Sequence, residues 1–415
     1  MAASIRPGVA VAPIEPAGAG RPRRRSSPSV LSSAHAVLLR EASGVTTADH
    51  LGAHRDLPPG WDDGWARAWS DAAAVGRAAI GVVPPGAVAA RIVRIDKGGI
   101  TTAREPGDEQ LVIAAKVARR VVVGDVVALD AAAGRIEGIL ARRTVFERRS
   151  PGVSRAQMAA ESRAVAANMD HVLVLQPLDV GLNPPRLSRE LVLAWESGAV
   201  PIVALTKTDL VQPAEVDAAV LEARRWAPGV QVIATSTHRP ESLAALDDVI
   251  GDGHVLALLG PSGAGKSTLA NALAGHEVQL TAEVREGDRR GRHTTTAGQI
   301  VPLAGGALLI DTPGIRGVGL WSADDGLEAA FADLAPFAEE CRFVDCAHGA
   351  EPGCGVTAAI ERGDVGADRL EVFRALVAEL ESLEADLEVR DRASERQANQ
   401  TARHRARNRR DSPGG

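Results

Sequence analysis

The stretch VLALLGPSGAGKSTLANAL, residues 255–273, decides the fold of this chain. It begins with an apolar run of strand length, VLALL, and ends in STLANAL, which is typical of the first turns of a helix. Between them, the phosphate-binding consensus G-x-x-x-x-G-K-[ST] is matched by Gly260, Gly265, Lys266 and Ser267. The glycines let backbone N–H groups turn inward, and the helix N-terminus adds its positive dipole end. The stretch therefore predicts an α/β domain that binds a nucleotide through its phosphates.

Two side chains of this P-loop have predicted roles in the chemistry. Lys266 is expected to reach the β- and γ-phosphates, and the hydroxyl of Ser267 is expected to bind Mg²⁺. The other residues expected to surround the phosphates are Gly260, Pro261, Ser262, Gly263, Ala264, Gly265 and Thr268. A P-loop does not distinguish the bases, so the residues that recognise the base must lie elsewhere.

A candidate for base recognition lies upstream, in VPIVALTKTDL at residues 200–210. Its apolar strand ends in a T-K-T-D sequence that resembles the N-K-x-D motif of GTPases. Asp209 would accept hydrogen bonds from N1–H and the 2-amino group of guanine, a pair of donors that adenine lacks. The stem of Lys207 would pack along the base. Thr206 replaces the Asn of the motif, which leaves open the contact that this Asn makes near N7 and the P-loop.

A second strand strengthens the guanine prediction. VQVIATSTH, residues 230–238, follows after a helical stretch. Its end places Ser236 and Thr237 where GTPases set a backbone N–H against guanine O6. T-K-x-D alone is a weak motif, but two strand ends followed by a P-loop make it specific.

Two further motifs follow the P-loop. GRHTTT, residues 291–296, resembles a switch I segment, in which Thr295 is favoured for completing Mg²⁺ coordination and its neighbours are alternatives. ALLIDTPGIRG, residues 307–317, is a strand that ends in D-x-x-G. Asp311 would hold Mg²⁺ through water, and the Gly314 N–H would contact the γ-phosphate.

The order of these motifs indicates a circular permutation. A Ras-like GTPase runs from the P-loop through switch I and D-x-x-G to N-K-x-D, whereas here the base-recognition motif comes first. Such a change is tolerable because the strands keep their places in the sheet and only the connecting loops are recut. The segment after D-x-x-G then leads directly into a C-terminal module.

The permuted order, with GPSGAGKST, GRHTTT, DTPGIR and TKTDL, resembles one family closely: the circularly permuted, ribosome small-subunit-dependent GTPases of bacteria, the RsgA family. The resemblance covers roughly residues 85–389. It implies an OB-fold β-barrel, a permuted P-loop GTPase domain and a zinc-containing helical domain. It also implies hydrolysis of GTP to GDP and phosphate, stimulated by the small ribosomal subunit during its late maturation, in the role of an assembly checkpoint.

The segment before the GTPase motifs carries short strand patterns, such as RIVRI and RRVVVGDVVAL, which favour a small barrel; an OB-fold has five strands. Residues 85–150 contain 12 Lys and Arg against 8 Asp and Glu, a net charge of 12 − 8 = +4. Their single aromatic residue, Phe146, does not suit base stacking. RNA contact is therefore expected through phosphates and shape, at Arg142, Arg143, Arg148 and Arg149. A merely solvated basic face is the alternative.

All three cysteines of the chain lie in CRFVDCAHGAEPGC, residues 341–354. Three thiolates and one imidazole make a closed tetrahedral set of ligands for a structural Zn²⁺, here Cys341, Cys346, His348 and Cys354. Free cysteines are the alternative. So few cysteines do not suggest an extracellular disulfide scaffold.

The C-terminal part begins with an amphipathic helix pattern over residues 368–389. Residues 390–415 contain 8 Arg and 3 acids and no large apolar side chain, so this tail is expected to be disordered when free and to fold or clamp on rRNA. The Trp-rich stretch at residues 51–69 predicts a helix that packs on the barrel. The predicted division is an N-terminal extension at 1–84 (disordered to about 29), the barrel at 85–150, the permuted GTPase domain at 151–325, the zinc-binding helical domain at 326–389 and the tail at 390–415.

Length and composition indicate the number of domains and the cellular location. The chain has 415 residues, a net charge of −6, 45% hydrophobic and 24% charged residues, which is ordinary for a globular protein of two or three domains. No apolar run approaches the roughly 18 residues of a membrane span. The Arg-rich start, residues 20–29, is not followed by the apolar region of a secretory signal. We expect a cytoplasmic protein without a membrane partner, and a monomer by default.

The residue after D-x-x-G predicts slow hydrolysis in isolation. Ras-like enzymes orient the attacking water with a Gln at this position, whereas this chain has Ile315, which can neither donate nor accept. The missing group is expected from His293 or Arg292, once ordered by docking, or from the ribosome. His293 could equally serve only to pack or cap switch I.

Three other functions compete with this hypothesis. The first is an RNA-binding scaffold with a vestigial nucleotide site, against which Lys266, Ser267, Asp209 and Asp311 argue. The second is an ATP-dependent enzyme, against which Asp209 argues. The third is a metabolic GTPase, which only the resemblance disfavours.

Overall fold

The computed structural model describes residues 58–105, 107–112, 121–148, 163–278, 298–312, 315, 320, 323–349 and 351–410. Within helices and strands, the side chains at 163, 394, 395 and 397–410 lie outside this description. No helix in the described ranges is both long and apolar enough to cross a membrane.

A small antiparallel sheet, at the position of the predicted barrel, forms the N-terminal part of the described chain, and we refer to it as the barrel. It follows helix α1 (Asp63–Val75) and consists of strands β1 (Ile80–Gly81), β2 (Val88–Asp96), β3 (Gly99–Ala103), β4 (Glu109–Val112), β5 (Val126–Asp130) and β6 (Arg135–Ile139). Neighbouring strands pair in the order β4-β3-β2-β5-β6-β1. The five longer strands enclose one apolar cluster that includes Ile92, Leu129 and Ile136. Five such strands suit an OB-fold, whereas β1, with two residues, is too short to be seen in the sequence and precedes the predicted boundary at residue 85.

The predicted N-terminal helix packs on this barrel. Asp62 caps α1 by accepting from the Trp65 N–H at 2.7 Å. The Trp65 ring is buried in a cluster with Val126 and Leu140 of the barrel. The guanidinium of Arg143 lies 4.0 Å from the centroid of the Trp65 ring and also pairs with Asp62 at 2.6 Å. The prediction of a helix that packs on the barrel is confirmed, and Trp65 makes the buried contact.

Two arginines expected to face RNA instead pair with carboxylates of the protein itself. Arg142 donates to both carboxylate oxygens of Asp125, at 2.7 and 2.9 Å. Asp125 has no exposed side-chain surface, and a buried carboxylate requires a paired donor. Arg143 holds α1, as described above. Of the predicted set, Arg148 is exposed at the end of its strand, and Arg149 lies outside the described residues.

A second sheet region carries the nucleotide motifs. After the two-stranded pair β7 (Val145–Arg148) and β8 (Arg163–Ala167), the elements are β9 (His171–Pro177), α2 (Pro184–Glu196), β10 (Val200–Thr206), α3 (Pro213–Trp226), β11 (Gln231–Ala234), α4 (Pro240–Ile250), β12 (Val255–Leu259), α5 (Lys266–Ala274), β13 (Gly298–Pro302) and β14 (Leu308–Asp311). Their order in the sheet is β13-β14-β12-β9-β10-β11, with β13 antiparallel and the others parallel. The chain therefore enters this sheet at β9 and reaches β12, which precedes the P-loop, only after β10 and β11. This order is the one that the permutation requires.

Parallel strands covered on both faces have continuous apolar runs, and β9 shows this pattern. Its residues Val172, Leu173, Val174 and Leu175 are all fully buried. They alternate between two apolar clusters on opposite faces of the sheet. Burial on both faces fixes the positions of the strand ends, where the polar residues begin.

The C-terminal part contains α6 (Asp324–Ala330), α7 (Ala335–Ala338), α8 (Gly355–Arg362) and α9 (Ala367–Arg410). The start of α9 is fixed by Arg369, which is 4% exposed. Its guanidinium donates to the Asp333 carboxylate at 2.8 and 3.1 Å and to the carbonyls of Trp226 and Ala330 at 3.1 and 2.6 Å. One arginine thus joins α9 to α3 and to the end of α6.

Helix α9 extends through most of the tail that we expected to be disordered. It runs from Ala367 to Arg410 without interruption. The physical reason is visible in the sequence, since this range contains no Gly or Pro and is rich in Arg, Ala, Glu and Leu, which favour helix. The lack of apolar residues after Val389 predicts an absence of tertiary packing, which is a different property from an absence of helix.

The barrel and the nucleotide sheet are joined by strand pairing. Strand β2 of the barrel pairs with β13, with Ile95 opposite Gly298 and Arg94 opposite Gln299. Strand β13 pairs in turn with β14, which ends at Asp311. A continuous path of backbone hydrogen bonds therefore connects the barrel to the D-x-x-G motif.

Candidate functional site

The predicted nucleotide motifs converge on one edge of the sheet. The P-loop follows β12, the T-K-T-D sequence follows β10, and Asp311 ends β14. These strands are parallel, so their carboxyl ends lie at the same edge, the usual position for a ligand in an open α/β sheet. Residues separated by more than a hundred positions in the chain are brought together in this way.

The P-loop has the backbone geometry that its glycines predict. Gly260 has φ +146°, and a Cβ at this position would lie 2.9 Å from the Leu175 carbonyl oxygen. Gly265, with φ +90°, caps α5. Lys266 is 7% exposed, and its Nζ donates to the carbonyls of Gly260 and Pro261 at 2.7 and 2.6 Å. These bonds hold the ammonium group inside the loop, where phosphate oxygens would be bound.

A pocket beside the P-loop contains the predicted base-recognition residues. It is lined by Thr206, Lys207, Asp209, Ser236 and Thr237 together with Gly265 and Thr268 of the P-loop region. The base-recognition and phosphate-binding halves of the site are therefore contiguous.

The Asp209 carboxylate is fixed by two protein donors. Ser236 Oγ donates to Oδ1 at 2.6 Å, and His238 Nδ1 lies 3.2 Å from Oδ2. The hydrogen bond from Ser236 lowers the pKa of Asp209 below its ordinary value. Each carboxylate oxygen can still accept a second bond, so the group remains ionised, oriented and able to accept from a base.

Thr206, which replaces the Asn of the N-K-x-D motif, contacts the P-loop. Its side chain is 5% exposed, and Oγ1 donates to the Ala264 carbonyl at 2.8 Å. The hydroxyl thus joins the end of β10 to the P-loop. Threonine is sufficient for this link, while its methyl group offers no hydrogen bond to N7 of a base.

Lys207 adopts a left-handed backbone conformation, with φ +60°. This turn leads from β10 into the short 3-10 helix Thr208–Leu210, which carries Asp209. Lys207 Nζ donates to Asp179 Oδ2 at 2.7 Å, which holds the long side chain along the pocket.

The backbone at the end of β11 distinguishes two residues that the sequence could not separate. The Ser236 N–H donates to Ser242 Oγ at 3.0 Å and is therefore engaged. Within the described part of the chain, the Thr237 N–H has no acceptor, and Thr237 lines the pocket. Ser236 thus contributes its hydroxyl to Asp209, and Thr237 offers the free N–H.

The phosphate end of the site brings Lys266, Asp311 and Ile315 around one small cavity. Ile315 is 4% exposed and belongs to the main apolar cluster. Its side chain is thus part of the core and offers no polar atom to a water molecule. The predicted residues Arg292, His293, Thr295 and Gly314 lie outside the described residues.

Sequence patterns missed several supporting residues. Asp179, Ser242 and His238 hold the recognition residues, and Gln176 donates to Glu190 Oε2 at 2.6 Å at the end of β9. Burial raises the pKa of Glu190 to about 7. For Asp179, the available signal was its position just after an apolar strand, LVLQPLD.

The four predicted zinc ligands form one cluster. Cys341, Cys346, His348 and Cys354 place their ligand atoms within 4.8 Å of one another. The Cys341 and Cys354 sulfurs are 3.9 Å apart, and each lies 3.5 or 3.6 Å from His348 Nδ1. A tetrahedral site with Zn–S bonds of about 2.3 Å has ligand separations of roughly this size. The cluster could bind one zinc ion.

Backbone donors also suit thiolates in this cluster. The Gly355 N–H points to Cys341 Sγ at 3.3 Å, and the Thr357 N–H points to Cys354 Sγ at 3.4 Å. Such bonds orient the ligands of a metal and stabilise their negative charge. His348 contacts the Phe373 ring of α9 at 6.3 Å between centroids, so the cluster also supports the root of that helix.

The permuted strand order and the site at its edge define a circularly permuted P-loop GTPase. The family model for RsgA GTPases matches residues 139–321. The small ribosomal subunit biogenesis GTPase RsgA of Streptomyces coelicolor is 43% identical over 341 residues, which are 80% of this chain and 89% of that protein. Its counterpart from Streptomyces avermitilis is 40% identical over 347 residues, 82% of this chain and 90% of that protein. The chain belongs to the RsgA GTPase family, which implies Mg²⁺ bound together with GTP.

Solved structures support the same fold. YjeQ from Thermotoga maritima aligns with a TM-score of 0.55 at 22% identity and covers 71% of this chain and 98% of its own. YloQ, described as a circularly permuted GTPase, aligns with a TM-score of 0.52 at 20% identity and covers 72% of this chain and 96% of its own.

Proposed function

We propose that this protein hydrolyses GTP to GDP and phosphate while bound to the small ribosomal subunit, and that it acts as a checkpoint factor in the late maturation of that subunit. One observation carries the proposal: the Asp209 carboxylate, fixed by two donors, lies in a pocket that is continuous with the P-loop. The name of its relatives, small ribosomal subunit biogenesis GTPase, supports the biological context.

In this proposal, Asp209 accepts from N1–H and the 2-amino group of guanine, and the Thr237 N–H donates to O6. The stem of Lys207 covers the base, and Lys266 binds the β- and γ-phosphates. Ser267 and Asp311 hold Mg²⁺, with Thr295 completing its coordination. Gly314 contacts the γ-phosphate, and the cysteine and histidine cluster holds one structural Zn²⁺.

We infer a low rate of hydrolysis by the protein alone. Ile315 follows D-x-x-G, where Ras-like enzymes have the Gln that orients the water, and its side chain is buried. Docking on the small subunit supplies or orders the missing polar group, for which His293 of switch I is the candidate within the chain. Hydrolysis then changes the switch segments and releases the protein.

The domain arrangement of the proposal follows the sequence prediction with two changes. The barrel and α1 form one RNA-facing module, and the basic tail continues helix α9 rather than forming a separate disordered segment. We infer a monomer that acts in the cytoplasm, where its ribosomal partner is assembled.

The experiment is to measure phosphate release from GTP with and without purified small ribosomal subunits. Large subunits serve as the control for the partner, and Lys266→Ala serves as the blank for the site. We expect stimulation of at least about tenfold by small subunits alone, equivalent to about 1.4 kcal/mol in the barrier. Intact GTP binding without stimulation would overturn the proposal in favour of an RNA-binding scaffold.

A further inference from the structure

His238 lies in the turn that follows β11 and lines the base-recognition pocket together with Asp209. Its backbone N–H donates to Ser236 Oγ at 3.1 Å, so the main chain of this turn is held in place. The imidazole is held less firmly, since 78% of the side chain is exposed. Among the described residues, the polar partner of the ring is Asp209, whose Oδ2 lies 3.2 Å from Nδ1.

The contact with the carboxylate determines which nitrogen of the ring carries the proton. An ionised carboxylate only accepts hydrogen bonds, so Nδ1 of His238 is the donor. The hydrogen bond from Ser236 lowers the pKa of Asp209, which keeps this carboxylate ionised in the pH range where histidines titrate. A second proton on the ring therefore goes to Nε2. It changes the charge of the ring while Nδ1 continues to donate to Asp209.

Asp209 is the main charge that faces the ring. The other charged residue in the pocket lining is Lys207, whose ammonium group is paired with Asp179 at 2.7 Å. Arg239 follows in the turn and Glu241 lies in the first turn of α4. Both of these side chains are exposed, so solvent and salt screen their charges. The charge of the ring is therefore felt chiefly at the carboxylate that recognises the base.

Guanine and a protonated ring compete for the same carboxylate. Ser236 already donates to Oδ1 of Asp209, and His238 donates to Oδ2. A neutral Nδ1–H leaves the second acceptor position of Oδ2 to the base. An imidazolium forms a charge-assisted hydrogen bond that is roughly twice as strong. It also places a positive charge beside the N1–H and 2-amino donors of guanine, whose hydrogens are themselves positive.

We propose that His238 makes the binding of guanine nucleotides dependent on protons: the neutral ring orients Asp209 for the base, and the protonated ring opposes the base. This inference rests on the proposed function, in which Asp209 accepts from guanine. His238 is a positioning residue, since it acts through Asp209. Binding at acid pH then releases one proton from the ring. By linkage, the affinity rises with pH through the range where histidines titrate and is constant above it.

The test measures the dissociation constant of the full-length protein for GDP at about pH 5.5 and about pH 7.5, on either side of the range where histidines titrate. His238→Asn keeps an N–H donor near the position of Nδ1 but takes up no proton. His276→Asn is the matched control, because it makes the same change at an exposed histidine beyond the other end of α5. Protonation of the phosphates of GDP affects all three proteins alike and cancels in the comparison.

Relative to His238→Asn, the unchanged protein and His276→Asn should lose at least about fivefold in affinity between the higher and the lower pH, because only the neutral ring suits the base. At the higher pH, all three proteins should agree within about twofold. An equal pH dependence of all three proteins, or an equal loss by His238→Asn at both pH values, would overturn the proposal. A protein that binds ADP as tightly as GDP at the higher pH would instead overturn guanine recognition in the proposed function.

Discussion

The nucleotide site and the cysteine cluster are built in opposite ways. The cluster takes all of its ligands from residues 341–354, so a short segment contains the whole site. The nucleotide pocket takes Asp209, Ser236 and the P-loop from three separate strand ends, which meet only because the sheet is parallel. A local site can thus be identified from spacing alone, whereas a distributed site requires the order of the strands. A substitution in one site should therefore leave ligand binding at the other site unchanged.

The largest expected effect is loss of the metal from the local site. Cys346→Ser removes a buried ligand and should reduce bound zinc from one per chain to none, lowering the stability of the C-terminal module by at least about 3 kcal/mol. Zinc content by atomic absorption and unfolding in urea measure both. The affinity for GDP should change less than twofold, and a large loss of GDP binding would contradict the independence of the two sites.

The next largest effect is expected at the base-recognition residue. Asp209→Asn removes the carboxylate and should weaken GTP binding about 100-fold, or about 2.7 kcal/mol, because two charge-assisted bonds to guanine are lost. The same variant should bind xanthosine triphosphate better than the unchanged protein does, since an amide can donate to the additional carbonyl of xanthine. Equilibrium binding of both nucleotides decides the point. Zinc content is the control. Unchanged GTP affinity would show that Asp209 does not recognise the guanine base.

A smaller effect concerns pH and the carboxyl group beneath the nucleotide site. The pKa of Glu190 is raised to about 7 by burial, so between about pH 4.5 and 7 the folded protein binds more protons here than the unfolded chain does. This contribution to stability is present at low pH and is lost as the pH rises through 7. Glu190→Gln should therefore stabilise the protein by on the order of 2 kcal/mol at pH 8 and have little effect at pH 4.5. Urea unfolding at both pH values tests this, with exposed Glu222→Gln as the control.

The smallest effect is expected at the link between the two halves of the pocket. Thr206→Val retains the shape of the side chain but removes the hydrogen bond to the Ala264 carbonyl. GDP affinity should fall about fivefold, corresponding to about 1 kcal/mol. Thr206→Ser keeps the hydroxyl and should bind GDP like the unchanged protein. Equal behaviour of the two variants would show that this hydrogen bond does not order the P-loop.

Much of this molecule could be predicted from sequence, because many of its functional residues lie in local patterns or at strand ends. The P-loop and the zinc ligands are local patterns with fixed spacings, and both groups of residues are brought together as the patterns require. The circular permutation could be deduced because each GTPase motif stands at a strand end, so the order of motifs gives the order of strands.

The rest depended on distances across the sheet, which a linear pattern does not contain. The pairing of Lys207 with Asp179 and the engagement of the Ser236 N–H by Ser242 arise from neighbouring loops at one edge. The basic sequence predicts that Arg142 faces RNA, because nothing in the sequence shows that Asp125 is buried beside it. Low hydrophobicity in the tail predicts disorder, whereas the structure has a helix there, because the residues themselves favour helix.

The pairing of β2 with β13 has a practical consequence for dissecting the protein. In a truncated chain without the barrel, β13 would lose its neighbour and become an edge strand with unpaired N–H and C=O groups. Such an edge is a template for pairing between molecules, so an isolated nucleotide domain is expected to self-associate. Keeping β2 and β3 with the domain, or placing a charged residue on the exposed edge, should keep it in solution.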